Sequence, residues 1–183
     1  MIVRTTVTSD DGWSVRRAGI GDTDAIAMIW RAGWIDGHAG RVPTELERAR
    51  LDGSWQASAR ERIEGTWVAC DRIGRVAGFV TVVGDELEQV YVAGYVRGSG
   101  VATMLLRHGE RIVGSTGFDR AWLAVAAGNC RARRFYEREG WTDAGPLEYL
   151  AHTAAGAIPV PVRRYERALS SAQPAFKASG ESA

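Results

Sequence analysis

Surplus charge is what this chain most plainly lacks. Its 23 basic residues are set against 22 acidic ones in 183, for a formal net charge of +1. No global field exists to draw in nucleic acid, and neither nucleic acid nor a membrane is expected as a partner. Long apolar runs are also missing, since none approaches the roughly 20 residues that a bilayer span requires. Cysteine is scarce: Cys70 and Cys130 fall in different expected elements without metal-ligand spacing. That excludes a disulfide scaffold and a zinc site, and it leaves two free thiols. The stretch Met1 to Ser9 has no apolar core and no small-residue cleavage site. It does not read as a secretory leader, so the expected location is the cytoplasm. Internal repeats are absent as well.

What is present is ordinary globular composition, 45% hydrophobic and 25% charged. That suits one domain able to bury a substantial core. The expected boundaries are an N-terminal extension over 1–12, a single domain over 13–169 and a disordered Ser-, Ala- and Gly-rich tail over 170–183. Alternation predicts a first strand over 13–18, and Asp22 N-caps a helix carrying Ala25, Ile26, Met28 and Ile29. Gly33 and Gly37 interrupt that pattern, which predicts a loop over 34–43. Short helices follow, one opened by Thr44 and Glu47 and one over 54–63. Strands are predicted over 66–70, 76–83, 86–92 and 120–126, helices over 100–113 and 129–139, and shorter strands near 146–151 and 162–167. Runs of strands with few crossover helices indicate an α/β (α+β) fold around a mixed, mainly antiparallel sheet.

The most informative stretch runs from Tyr91 to Ala102. A β-like segment enters the turn Arg97-Gly98-Ser99-Gly100, which opens an amphipathic helix on Val101, Met104, Leu105, Ile112 and Val113. Glycine lets the chain turn sharply and lets a ligand approach the main chain, while the first N–H groups of the helix point outward as an anion site. No Lys-Ser/Thr pair follows the glycines, so this is not a P-loop, and the spacing of the dinucleotide fingerprint is absent. Downstream, a second helix opens at Asn129 and stops at Gly140, as at a C′ position.

Together these segments resemble the GNAT family, the Gcn5-related N-acetyltransferases. The acetyl-CoA signature Gln/Arg-x-x-Gly-x-Gly/Ala reads here as Arg97-Gly98-Ser99-Gly100-Val101-Ala102. The later motif Asn-x-x-Ala-x-x-x-Tyr-x-x-x-Gly-Phe reads as Asn129, Ala132, Tyr136 and Gly140, with Trp141 in place of Phe. Glu86 to Val92 looks like the strand that leads into the pyrophosphate loop. The resemblance covers roughly 13–169 and implies a GNAT-like sheet of about six or seven strands with helices on both faces. It also implies acetyl-CoA as co-substrate and transfer of its acetyl group to a primary amine of a small molecule or a protein. The alternative is a non-catalytic acyl-CoA-binding or sensing module.

The same resemblance assigns roles. Gly98, Ser99, Gly100, Val101 and Ala102 would cradle the pyrophosphate. Val90, Tyr91 and Val92, together with Asn129 and Arg131, would contact the rest of the cofactor. Arg97 would add a charge-assisted bond to a phosphate, or is a solvated charge. Tyr136 would act as general acid for the departing thiolate, or packs helix against sheet. Asn129 would be an N-cap, a pantetheine contact or both. Glu86 would be the base that takes the amine proton, with Glu88 on the same strand face able to share the task, or each is an exposed strand residue. The following strand has Leu123-Ala124-Val125 where some members carry a glutamate. Trp34 and His38, on the predicted loop, would border the acceptor, or are respectively core and exposed. Edge strands leave room for a homodimer.

Overall fold

The computed structural model describes residues 7–8, 12–153 and 156–169, so the tail expected over 170–183 lies outside the described residues. Segments rich in β-branched and aromatic residues become strands, because such side chains suit a pleated, half-buried surface. In chain order the elements are β1 (Val7–Thr8), β2 (Ser14–Arg17), α1 (Thr23–His38), α2 (Thr44–Asp52), α3 (Trp55–Glu61), β3 (Thr66–Cys70) and β4 (Val76–Val83). They continue with β5 (Glu86–Val92), α4 (Val101–Ser115), β6 (Arg120–Ala126), α5 (Cys130–Arg138), β7 (Thr142–Thr153) and β8 (Gly156–Ala168). No helix among the described residues is long and apolar enough to cross a membrane.

One sheet runs β1-β2-β3-β4-β5-β6-β8-β7, antiparallel throughout except between β5 and β6. This is the expected mixed, mainly antiparallel architecture, with eight strands instead of six or seven. The additional strand is the two-residue β1, from the segment read as an extension, which pairs with Ser14 and Val15. Helices α1, α2 and α3 cover one face around Ile26, Trp30, Trp34, Leu46, Trp55 and Phe79. Helices α4 and α5 cover the other, around Leu87, Leu105, Leu106, Val113, Leu123 and Tyr136.

Two irregularities open the middle of this sheet. Thr81 faces Gln89 while the next residue, Val82, faces Leu87, so Glu88 is the extra residue of a bulge in β5. Beyond it Val90 and Val92 pack toward α4, as Leu87 does, and Tyr91 packs toward α1. The second irregularity is a separation of strands: β5 and β6 share a single ladder pair, Glu86 with Trp122. Past that pair they diverge, and residues 87–92 and 123–126 become facing walls of a cleft.

The loop predicted over 34–43 is not there, because α1 continues to His38. Gly33 and Gly37 are not helix breaks but points of close approach. A Cβ at Gly33 would stand 2.4 Å from Cδ1 of Tyr91, and one at Gly37 would stand 2.9 Å from Nδ2 of Asn129. Each glycine costs the helix about 1 kcal/mol relative to alanine, and the approach of α1 to the cleft requires both. The final hairpin also exceeds expectation, running over Thr142–Thr153 and Gly156–Ala168. The sequence predicts only shorter strands there, near 146–151 and 162–167. β6 pairs with β8 only from Val162 onward, so Pro159 and Pro161 lie where β8 is itself an edge.

Candidate active site

The cleft between β5 and β6 encloses about 530 Å³. Its floor at one end is the turn before α4, where Gly98 has φ +81° and Gly100 has φ +84°. Only glycine takes up these left-handed values at little cost. A Cβ at either position would meet nothing within 4 Å, so the space before the helix is open. The first intrahelical bond is from Met104 N–H to Gly100 O, 3.0 Å, which leaves the N–H groups of Val101, Ala102 and Thr103 without helical acceptors. Ser99 fixes the turn by donating its N–H and its hydroxyl to the Val96 carbonyl, at 3.2 and 2.6 Å.

Charge at this mouth is already paired. Arg97 donates to Oδ2 of Asp36 on α1 at 2.9 Å, and Arg131 on α5 donates to the same oxygen. Arg131, and then Arg97, hold the Asp36 carboxyl below the usual carboxylate range.

Helix α5 places Tyr136. The Asn129 side chain caps it by accepting from Ala132 N–H at 3.1 Å. Gly140, at φ +83°, ends the helical segment, and the next N–H, of Trp141, bonds back to Tyr136 O at 2.9 Å. The Trp141 indole then donates to the buried Glu110 of α4 at 3.0 Å, which locks α5 against α4. Tyr136 is only 9% exposed and is ringed by Phe135, Trp141 and Tyr165, with centroids 5.2, 6.2 and 6.1 Å away. Burial pushes its phenol well above the ordinary value, so it stays protonated at any working pH. Among the described residues its hydroxyl makes no hydrogen bond, and the residue lines the cleft.

A smaller pocket of about 110 Å³ shares His38, Glu88, Gln89 and Tyr91 with the cleft. Glu86 lines it, and its carboxyl is pushed up to about 7, chiefly by burial and then by the charge of Glu88. Tyr149, also on the wall, partly offsets that rise, and its own phenol is raised to about 12 by burial and by Glu86. Glu88 is already engaged, since both of its oxygens accept from Nε of Arg62, at 3.1 and 3.0 Å. The Trp34 and His38 rings stack at 5.0 Å with 7° between planes. His38 Nδ1 lies 3.0 Å from the Trp34 carbonyl, which can only accept, so Nδ1 carries the proton. Burial lowers the His38 pKa and keeps the ring neutral, with Nε2 free as an acceptor.

The structure therefore gathers Glu86, Glu88, Tyr91, Trp34 and His38 around the small pocket. Val90, Tyr91, Val92, Arg97, Gly98, Gly100, Ala102, Asn129, Arg131 and Tyr136 line the larger cleft. Ser99 and Val101 line neither; Val101 is 1% exposed, with its side chain in the core. Trp34 and His38 reach the pocket from a helix and not from a loop. Sequence reasoning passed over Asp36, Arg50, Arg62 and Tyr149. The first lies in the segment misread as a loop, and Arg50 looks like any solvated arginine of the charged run Thr-Glu-Leu-Glu-Arg-Ala-Arg-Leu-Asp.

Solved structures with the same architecture are numerous. A Gcn5-related N-acetyltransferase from Rhodopseudomonas palustris superposes with a TM-score of 0.69 at 20% identity, covering 92% of this chain and 99% of that one. The PaiA N-acetyltransferase of Thermoplasma acidophilum, solved with coenzyme A, gives 0.64 at 16% identity over 85% and 98% of the two chains. A phosphinothricin acetyltransferase of Sinorhizobium meliloti, solved with acetyl-CoA, gives 0.61 at 19% over 86% and 89%. At such identities these likenesses speak for the fold alone, and no curated protein gives a significant match. The model of the acetyltransferase (GNAT) family, however, matches residues 28–141, from α1 through the end of α5 and over both walls of the cleft, and the chain belongs to that family.

Proposed function

We propose that this protein is an acetyl-CoA-dependent N-acetyltransferase, with the cofactor in the larger cleft and a primary amine in the smaller pocket. One observation carries the reading. A phenol that stays protonated, Tyr136, and a carboxyl that titrates near neutrality, Glu86, line adjoining pockets between diverging strands. One can give a proton and the other can take one, which is what transfer from a thioester to an ammonium demands.

The residues present fit the cofactor. The free N–H groups at the start of α4 and the open space before Gly98 and Gly100 suit a pyrophosphate, and Arg97 and Arg131 are at hand for its charge. Acetyl-CoA would supply the activated acetyl group. At the other end Glu86 takes a proton from the bound ammonium, directly or through water, and frees its lone pair. Glu88 is held by Arg62, and its charge raises the pKa of Glu86 toward the working range. Tyr136 then protonates or hydrogen-bonds the departing thiolate.

The test is release of free thiol from acetyl-CoA, followed with a chromogenic thiol reagent, across a panel of primary amines. Release that needs both protein and amine is expected. Calorimetric binding of acetyl-CoA with no release for any amine would favour the non-catalytic acyl-CoA-binding module instead.

A further inference from the structure

The small pocket contains a charge that amine binding leaves unused. Arg50, in the last turn of α2, lines it, and its Nε is buried with no hydrogen-bond partner. Among the described residues the guanidinium forms no ion pair, and Glu88, which lines the same pocket, is committed to Arg62 at 3.0 Å. Burial, and then repulsion from Arg62, push its pKa below the ordinary arginine value. A second donor that lines the pocket is also orphaned: Nε1 of Trp30 is buried without a hydrogen bond.

Guanidinium and indole N–H groups donate and cannot accept, so neither satisfies the other. Buried donors are nearly always paired, by water or by a ligand where the protein offers no acceptor, and of the buried orphaned atoms among the described residues only Arg50 Nε and Trp30 Nε1 belong to residues that line this pocket. The same pocket is lined by Glu86 and Glu88. A ligand that satisfies both sets of groups carries a cation as well as oxygen acceptors with negative charge. Polyamines and aminoglycosides would set further positive charge against Arg50.

We propose that the acceptor is an amine that itself bears a carboxylate, a free α-amino acid, with its ammonium toward Glu86 and its carboxylate on Arg50 and the Trp30 N–H. This rests on the acetyltransferase reading for its chemistry, though not for its binding.

The test compares L-amino acids with their own carboxamides, which replace the charged carboxylate with a neutral amide of similar size. The amide has the less basic amine and is more often neutral, so a pocket blind to the carboxylate would favour the amide. The expected result is the reverse, a kcat/KM at least tenfold higher for the acid. Arg50→Met should erase that preference while the acetyl-CoA Kd stays as in the wild type and the variant melts no lower. Trp30→Phe, which stays aromatic but loses the N–H together with the five-membered ring of the indole, should reduce the preference by less. Amides used as well as acids, or an acid preference that survives Arg50→Met, would overturn the proposal and leave the acetyltransferase reading standing. If no amine releases thiol, calorimetry decides with the amino acids alone: binding abolished by Arg50→Met supports the site, and no binding of any amino acid to the wild type overturns it.

Discussion

The two ends of the cleft treat positive charge in opposite ways. At the glycine turn Arg97 and Arg131 are well exposed, 44% and 60%, and both already share the Asp36 carboxylate. At the small pocket Arg50 is partly sunk into the wall, and its Nε is unpaired. An exposed ion pair contributes about 0–1 kcal/mol, so the first two arginines can be passed to an incoming phosphate at little cost. A buried, unpaired cation is expensive to maintain, and a counter-ion brought by the ligand relieves it. The first end thus keeps one surplus positive charge at rest and, on the proposed reading, exchanges partners on binding. The second is complete only when occupied.

The proposed chemistry lies between these ends, and the largest effect should come from there. Removing the Tyr136 hydroxyl takes a proton donor from the junction and no anchor from either end. Tyr136→Phe should lower kcat by about 10²–10⁴ with the acetyl-CoA Kd unchanged, measured by steady-state kinetics beside calorimetry. A change in Kd with kcat intact would return Tyr136 to packing and move the chemical step elsewhere.

Glu86→Gln comes next and has a pH signature. With its carboxyl near 7, the wild-type rate should climb to about pH 7 and then level off. The variant must wait for amines already neutral, so its rate should keep rising beyond that point. Its deficit, about 10² at pH 7 and below, should then shrink as pH increases. Parallel profiles would argue against Glu86, and Glu88→Gln would be the following candidate. Stability moves with the same group. A folded-state pKa raised from 4.5 to about 7 means that the native state holds the proton longer than the unfolded chain does. Wild-type stability relative to Glu86→Gln should therefore fall as pH rises from about 4.5 to about 7 and change little beyond it, read from paired melting curves.

The glycine end breaks differently. Gly100→Glu forces a side chain onto a φ of +84° and sets a negative charge where the free N–H groups point. About tenfold or greater loss of acetyl-CoA affinity is expected, with amino acid binding at the small pocket retained. An unchanged calorimetric Kd in a folded variant would remove the turn from the cofactor site.

This end was also the more legible of the two in the sequence. A glycine turn and the helix after it are local, so Arg97 to Ala102 could be read from neighbours alone. The strands over 66–70, 76–83 and 120–126 likewise declare themselves as short apolar runs between breaks, whereas 86–92 carries Glu86, Glu88 and Gln89 and is less plain. The acceptor end is long-range. Gly33 and Gly37 look like helix breakers until Tyr91 and Asn129, far along the chain, arrive against them. The bulge at Glu88 is a matter of pairing with β4, which no stretch of β5 reveals. Arg50 differs from Arg48 in the same helix only by what surrounds it, since Arg48 is exposed and Arg50 is not. No local pattern marks that difference.

The smallest expected effect probes the contrast between the two ends most directly. If Asp36 only holds Arg97 and Arg131 until a phosphate takes them, it competes with the cofactor, and Asp36→Asn should tighten acetyl-CoA binding. Asp36 makes two exposed pairs, each contributing typically a few tenths of a kcal/mol, so the gain should stay at roughly fivefold or less. It should fade at high salt, where screening weakens both the pair and its competitor. If Asp36 instead orients the arginines for the cofactor, the same change weakens binding. Calorimetric titrations of wild type and Asp36→Asn at low and high ionic strength separate the two by the sign of the difference. Loss of affinity in the variant would mean that this mouth, like the acceptor pocket, depends on a fixed arrangement of charge.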